Sequence, residues 1–182
     1  MSRITLSGNA SGTGNFTLAS PNSNTDRTLT LPDATGTVLT TATPGIPING
    51  PAFAAYEGTA QALTANVATK LVFGTELFDT NNNFASSTFT PTVAGYYQLS
   101  AGSYISAAGT KLLNLYKNGV LFLEFGRNAS NTDTTLSGSA LVYANGSTDY
   151  FDFYGLSTVS ANAGVAANPQ VKWFTGALVR AV

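Results

Sequence analysis

The sequence contains no cysteine and no histidine, and each absence excludes a kind of chemistry. Without cysteine the chain forms no disulfide and no zinc–thiolate site, and its redox compartment cannot be inferred. Without histidine it lacks the usual general base and the commonest transition-metal ligand. A serine or threonine nucleophile needs a positioned base, so the sequence offers little material for hydrolysis by that route.

Charge is also scarce. Charged residues make up 9% of the 182 residues, against about 25% in an average soluble domain. The net charge is −1 and no basic run is present, so nucleic acid is not a predicted partner, because phosphate binding needs clustered cations. No apolar run approaches the ~20 residues of a membrane span, so membrane insertion is not predicted. The surface must consist largely of Ser, Thr, Asn and Gly, which suits a protein that works in an assembled state.

The acidic residues give no clear catalytic or metal pattern. Paired carboxylates could cleave glycosides, but the nine acidic residues are scattered along the chain. Residues 79–83 carry oxygen ligands at the first, third and fifth positions of a calcium loop, whereas Phe84 and Thr90 occupy the sixth and twelfth. An Asx-rich turn is the favoured interpretation. We predict no enzyme activity, no cofactor and no metal site.

The chain is expected to have two parts. Residues 1–43 alternate apolar residues with threonine, as in Ile4-Thr5-Leu6, which is the period-2 pattern of half-buried strands. So few large side chains cannot form an independent core, so this β-arm needs a partner surface or other copies of itself. Residues 44–50 contain two prolines and two glycines and are expected to be an extended linker.

The second part, residues 51–182, shows no sustained 3.6-residue period, and turn signals separate its apolar runs. This pattern predicts an all-β domain. In the run 150–154, alternation predicts that Phe151 and Phe153 lie in the core and that Asp152 lies on the surface. The predicted strands lie near residues 52–57, 69–73, 87–92, 96–105, 111–117, 120–126, 137–143, 149–156 and 172–180.

Two stretches carry a family resemblance. Residues 89–99 read Phe-Thr-Pro-Thr-Val-Ala-Gly-Tyr-Tyr-Gln-Leu, a strand that enters a Pro/Gly corner and a long strand that leaves it. Residues 112–119 end in Asn-Gly, which tolerates the positive φ that a type I′ hairpin requires at both central positions. This order resembles the globular C1q domain of the C1q/TNF family, and the resemblance extends over residues 51–182. It implies a jelly-roll sandwich, assembled as a homotrimer, that binds other molecules and catalyses nothing.

The same resemblance implies a trimer interface. Tyr143 and Trp173 are out of phase with the expected core residues Val142 and Phe174, and they fall on strands that face the threefold axis in the family. On a lone domain such aromatics would form an exposed patch, whereas at an axis they would be buried. The predicted interface residues are Leu141, Tyr143, Trp173 and Thr175.

Counting strands on the resemblance places three connections at the end far from the termini: residues 106–110, 127–135 and 157–170. Long polar loops on a rigid scaffold often carry binding sites, and these offer the donors and acceptors that read sugar hydroxyls. The alternative is that they are merely solvated tips. The candidate ligand-binding residues are Arg127, Asn128, Asn131, Asp133, Asn162 and Asn168.

The N-terminal part carries a second resemblance. Residues 30–37 read Thr-Leu-Pro-Asp-Ala-Thr-Gly-Thr, and together with the strands before them they resemble a segment of tail-fibre and other virion proteins of tailed bacteriophages. The resemblance predicts a virion structural protein, a short trimeric tail fibre or tip that binds a glycan or protein of the host surface. Residues 1–43 would contact other virion proteins.

Two alternatives stay open: a capsid decoration or head-fibre protein, and a free phage-derived carbohydrate-binding lectin. The start of the chain lacks the hydrophobic segment of a signal peptide. We therefore expect synthesis in the host cytoplasm and a final location in the virion.

Overall fold

A computed structural model of the chain describes residues 11–14, 17, 19, 22–26, 28, 50–106, 108–164 and 169–182. The chain divides into two units, Met1–Val38 and Leu39–Val182, and every described strand lies in the second. Most residues of the predicted arm and linker fall outside the described ranges, so their boundaries stay predictions. No helix in the described ranges is long and apolar enough to cross a membrane.

The described part is almost entirely β-structure. Each of the nine predicted strands is present, and four short strands were not predicted: β2, β4, β5 and β12. The single helical element among these residues is a 3-10 turn, η1, at Pro169–Val171. The strands are β1 (Ala52–Tyr56), β2 (Gln61–Leu63), β3 (Thr69–Lys70), β4 (Thr75–Asp79), β5 (Phe84–Ala85), β6 (Thr88–Phe89), β7 (Gly95–Ser106), β8 (Lys111–Lys117), β9 (Val120–Asn128), β10 (Thr134–Ala144), β11 (Phe151–Ser157), β12 (Ala161–Ala163) and β13 (Lys172–Ala181).

The strands form two antiparallel sheets. The larger sheet runs β4-β1-β13-β7-β10. At the end of β7, beyond its last pair with β13, β12 pairs with β7 instead, and β2 pairs with β12. The smaller sheet runs β5-β6-β11-β8-β9, with β3 also paired to β11. Two such sheets pack face to face because each has one apolar face, supplied by residues at alternate positions.

The core between the sheets is rich in aromatic rings. Phe174 on β13 lies at its centre, with ring centroids 4.7 Å from both Phe53 and Phe153. The rings of Phe73 and Phe84 lie 5.7 Å away. Edge-to-face pairs of this kind add stability beyond the area they bury. The rings bridge the sheets, because Phe53 and Phe174 belong to the larger sheet and Phe153 to the smaller.

The connections lie at two opposite ends of the sandwich, which we call the apex and the base. At the apex the Thr158 N–H donates to the Thr110 carbonyl at 2.9 Å, and the Lys111 ammonium donates to the carbonyls of Ser130 and Thr132 at 3.0 and 2.7 Å. The three connections predicted to meet at the apex are therefore joined there by hydrogen bonds.

At the base, Asn118 and Gly119 have φ values of 55° and 77°, so the predicted hairpin is confirmed. The C-terminus also lies here, since the Val182 N–H donates to the Ala94 carbonyl at 3.1 Å.

One surface expectation is wrong. Asp152 is 4% exposed although alternation placed it on the outside. Its carboxylate pairs with the Lys70 ammonium at 2.8 Å and accepts the Thr88 hydroxyl at 2.7 Å. Strands β3 and β6 pair one after the other with β11, on either side of Asp152 along that strand, and they bring Lys70 and Thr88 to its carboxylate.

Asp149 ties the base together and should make stability depend on pH. Burial alone would raise its pKa, but hydrogen bonds from Asn118, Lys117 and the Asn145 amide hold the pKa below its ordinary value. A lowered folded-state pKa gives stability that is present above about pH 4 and is lost as the pH falls through the folded value. Asp149→Asn should cost about 1–3 kcal/mol at pH 7.

The measurement is urea unfolding from pH 7 to pH 2. The Asp149→Asn variant should also lose part of the acid dependence, because the titrating carboxylate is gone. Glu76→Gln, at an exposed position of β4, is the control and should change little. Parallel pH profiles for the wild type and Asp149→Asn would contradict the assignment.

Candidate functional site

The solvent face of the larger sheet, called here the outward face, is the first candidate site. On β7 the core positions alternate with outward ones, as the burial pattern of that strand shows, and register carries the same face to the neighbouring strands. None of the outward residues named next is charged. They are Ala54 and Tyr56 on β1, Trp173, Thr175 and Ala177 on β13, Tyr96, Gln98, Ser100, Gly102 and Tyr104 on β7, and Thr135, Ser137, Ser139, Leu141 and Tyr143 on β10.

All four predicted interface residues lie on this face. Trp173 and Thr175 are on β13, Leu141 and Tyr143 are on β10, and β7 runs between the two strands. Leu141 is 57% exposed and Tyr143 44% exposed. The ring of Tyr143 lies 5.6 Å from that of its cross-strand partner Tyr96, so the face carries an exposed aromatic pair near the base.

Trp173 lies over β7. A Cβ added to Gly102 would come within 2.6 Å of the indole Nε1, so the indole packs directly on the glycine backbone. Beside it runs a groove of about 230 Å³, lined in part by Tyr56, Leu77 and Thr175. Leu77 is 65% exposed. Sequence reasoning missed Leu77 because the run around it does not alternate.

The substitution Gly102→Ala tests whether the indole of Trp173 packs on the backbone of β7. The new methyl group would force the indole away from β7, because a rigid ring cannot yield locally. The chain has a single tryptophan, so intrinsic fluorescence reports on this position alone. The emission of Gly102→Ala should shift to longer wavelength as the indole becomes wetter. Gly126→Ala, where a Cβ would meet Leu136 at an ordinary 3.4 Å, is the control, and equal spectra for all three proteins would refute this packing.

The second candidate surface is the apolar edge, residues 120–123 on β9. Val120, Leu121, Phe122 and Leu123 are 69, 54, 47 and 40% exposed. Among the described strands, β9 ends the order of the smaller sheet. Free edges normally carry charges or proline to prevent further pairing. Four consecutive apolar residues on an edge indicate that something covers it.

The apolar edge adjoins the outward face. Strand β10 packs on β9, and a Cβ at Gly138 would approach the Phe125 carbonyl oxygen to 2.7 Å. Leu141 and Tyr143 are therefore on the same side of the sandwich as residues 120–123. The groove beside Trp173 lies toward the opposite side, near β4.

The predicted ligand residues divide into two groups. Arg127 forms a two-pronged ion pair with Glu124, with N–O distances of 3.0 and 2.7 Å. These hydrogen bonds raise the pKa of Arg127 and lower that of Glu124. The Asn128 side chain accepts the Ser130 N–H at 2.7 Å, closing an Asx turn. Asn131 is exposed, and Asn168 lies outside the described residues.

Asp133 and Asn162 form the second group and line one cavity of about 510 Å³, the apical pocket. Its walls come from residues 62–64 and 160–162, together with Ser106 and Asp133. The Tyr104 hydroxyl donates to the Asp133 carboxylate, which raises the pKa of Tyr104. Ser106, Thr64 and Ser160 were not predicted, because β2 and β12 are too short to be recognised from alternation.

The charged groups inside the sandwich are engaged in structure. Lys117 pairs with Asp149 at 2.9 Å, and Lys172, wholly buried, donates to the Thr59 carbonyl at 3.2 Å. Burial lowers the pKa of Lys172. Asp79, from the calcium-like run, accepts the backbone N–H groups of Phe84 and Asn81 at 2.7 and 3.3 Å, as an Asx turn does. Among the described residues no three Asp or Glu side chains converge on a metal position.

No protein-family model matches the chain, and no curated protein matches it. Solved structures do. The globular domain of zebrafish complement 1qA is 20% identical, with a TM-score of 0.54, over 71% of this chain and 97% of that one. Murine APRIL is 9% identical, with a TM-score of 0.55, over 72% and 100%. Eiger TNF from S. frugiperda is 7% identical, with a TM-score of 0.50, over 72% and 94%.

At these identities the likeness establishes the fold. The domain is a C1q/TNF-like jelly roll, as the sequence predicted, and the match covers almost the whole length of each neighbour.

Proposed function

We propose that this protein is a homotrimeric structural protein of a bacteriophage virion, a short fibre or tip whose jelly-roll head meets the host surface. The observation that supports assembly best is the outward face, which exposes the large side chains of Leu141, Tyr143 and Tyr96. Large exposed apolar patches usually mark interaction sites. The C1q/TNF resemblance implies that the covering partner is another copy of the chain, in a set of three.

The two apolar surfaces favour a head-to-tail contact. The apolar edge and Leu141 protrude on one side of the sandwich, and the groove beside Trp173 opens toward the other. A protrusion and a groove on different parts of one subunit join heterologously, and such contacts close into a ring when the rotation permits. With one copy's edge in the next copy's groove, three copies bury both surfaces.

The arm supplies the proposed link to the particle. Residues 1–43 resemble virion segments and have too few large side chains to form a core of their own, so their place is against another virion protein. A binding role without catalysis fits the sequence, which offers no histidine or cysteine. It also fits the described carboxylates Asp149 and Asp152, which are both committed to ion pairs.

Sedimentation of the purified protein tests the assembly. A single species of three chains at micromolar concentration is expected, and a stable monomer would refute the proposal.

A second experiment tests the attachment. A chain beginning at residue 44 should still form the trimer but should no longer join particles, and its normal incorporation would move the anchor elsewhere. Antibody labelling of virions against residues 51–182 then separates a tail position from a capsid decoration. Absence from particles would favour the free lectin.

A further inference from the structure

We propose that the apical pocket binds a neutral polyhydroxy ligand of the sugar class, such as an uncharged residue of a surface glycan. This inference deepens the proposed function and rests on it, because it names the ligand chemistry and the residues by which the head would meet the host. Of the six predicted ligand residues it keeps Asp133 and Asn162, and it adds Thr64, Ser106 and Ser160.

The pocket is built on regular sheet. Asn162 stands opposite Ala62 on one side and Ser106 on the other. Thr134 pairs with Ile105, so Asp133 comes next to Ser106 in the same row. Cross-strand neighbours share a face, and the alternate residues Ile105 and Ala163 are buried. Four strands thus present one row of side chains toward the pocket.

Hydrogen bonds hold the row in place. The Asn162 N–H donates to the Ser106 hydroxyl oxygen at 3.1 Å, and that hydroxyl lies 3.4 Å from the Asn162 carbonyl. The Tyr104 hydroxyl donates to one oxygen of Asp133. This contact helps to hold the carboxylate in place. Sites on a rigid sheet lose little entropy when a ligand binds.

The lining chemistry selects the ligand. Hydroxyls of Thr64, Ser106 and Ser160, the Asn162 amide and the Asp133 carboxylate line the pocket, and no cation does. Hydroxyl groups of a ligand can donate to the carboxylate and exchange hydrogen bonds with the rest. An anionic sugar would meet a carboxylate in a lining that holds no Lys or Arg. Ala62 and Ala161 add small apolar surface that suits the C–H face of a sugar ring.

The position of the pocket fits this use. Along the outward face, the apolar residues Tyr143, Leu141 and Trp173 lie toward the base and centre, whereas Ser106 and Asp133 lie at the apical end. In a protein interface the apolar residues form the buried centre and the polar residues form the solvated rim. The polar apical end of this face would therefore lie at the rim. Three pockets in one trimer would let weak sugar sites act together by avidity.

The test is titration of the assembled, ¹⁵N-labelled protein with methyl α-glucoside, methyl α-galactoside, the methyl glycoside of N-acetylglucosamine, and N-acetylneuraminic acid. At least one neutral glycoside should shift amide signals of residues 62–64, 106, 133 and 160–162, and N-acetylneuraminic acid should not. Asn162→Ala should weaken binding about tenfold, the effect of one lost hydrogen bond. Asn131→Ala, at an exposed apical position outside the lining, is the matched control.

Each remaining outcome is decisive. No shift with any neutral glycoside, or equal losses in the Asn131 and Asn162 variants, would overturn the inference. Binding by a monomeric Leu141→Glu variant but not by the assembled protein would overturn it too, because the pocket would then be part of an interface between copies. Sedimentation of the same samples separates the two proposals. An assembled protein that ignores sugars refutes only this inference, and a monomeric wild type refutes the proposed assembly.

Discussion

Leu141→Glu is expected to turn the assembled protein into monomers at micromolar concentration. Leu141 is 57% exposed on the single domain, so the substitution leaves the core untouched. In the assembly each copy would bury a carboxylate with no partner, at a cost of several kcal/mol per site. A cost of about 3 kcal/mol at each contact corresponds to a loss of more than a hundredfold in association.

Analytical ultracentrifugation with circular dichroism checks this result. The variant should sediment as one chain and keep its β spectrum. Val67→Glu is the control, since Val67 is 48% exposed in a loop away from the outward face, and this variant should stay assembled. A trimeric Leu141→Glu protein would show that the outward face is not the interface.

Phe174→Ala should be the most destabilising single change in the core. The ring contacts four other phenylalanine rings from both sheets and is wholly buried. Removal of such a side chain costs about 3–5 kcal/mol, through lost burial and the cavity left behind. A domain with an ordinary stability of about 5–15 kcal/mol would lose a large part of it.

Urea unfolding of the monomeric Leu141→Glu background measures this cost without the contribution of assembly. Phe125→Ala is the matched control, because Phe125 is only partly buried and has one ring partner, Phe153, at 4.8 Å. Phe125→Ala should lower the free energy of unfolding clearly less than Phe174→Ala. Equal losses for the two variants would mean that the central cluster contributes no more than its periphery.

The long strands and the hairpin could be predicted from the sequence because their signals are local. Alternation marked β7 and β10, and Asn118-Gly119 marked the tight turn. The short strands β2, β4, β5 and β12 have two to five residues each, and no longer predicted run contains them, as the runs 69–73 and 87–92 contain β3 and β6. Tertiary pairing alone makes them strands.

The candidate sites also divide into those with a local sequence signal and those formed only by tertiary contacts. Tyr143 and Trp173 were recognisable from their phase against neighbouring core residues. The apical pocket was recognised only in part: Asp133 and Asn162 were among the predicted residues, whereas Thr64, from a distant part of the chain, was not. Asp152 was misplaced for a similar reason: the lysine that covers it stands 82 positions earlier, and no local pattern connects the two.

The buried ammonium of Lys111 has an evolutionary consequence. It holds the 127–135 connection from below, through the backbone carbonyls of Ser130 and Thr132, and carbonyls are present whatever side chains those positions carry. The conformation of the 127–135 connection therefore does not depend on which side chains its exposed positions carry. Substitutions at positions 129 and 131 can therefore change the outer surface of the loop without changing its fold. Among related sequences these two positions should vary, while the lysine stays fixed.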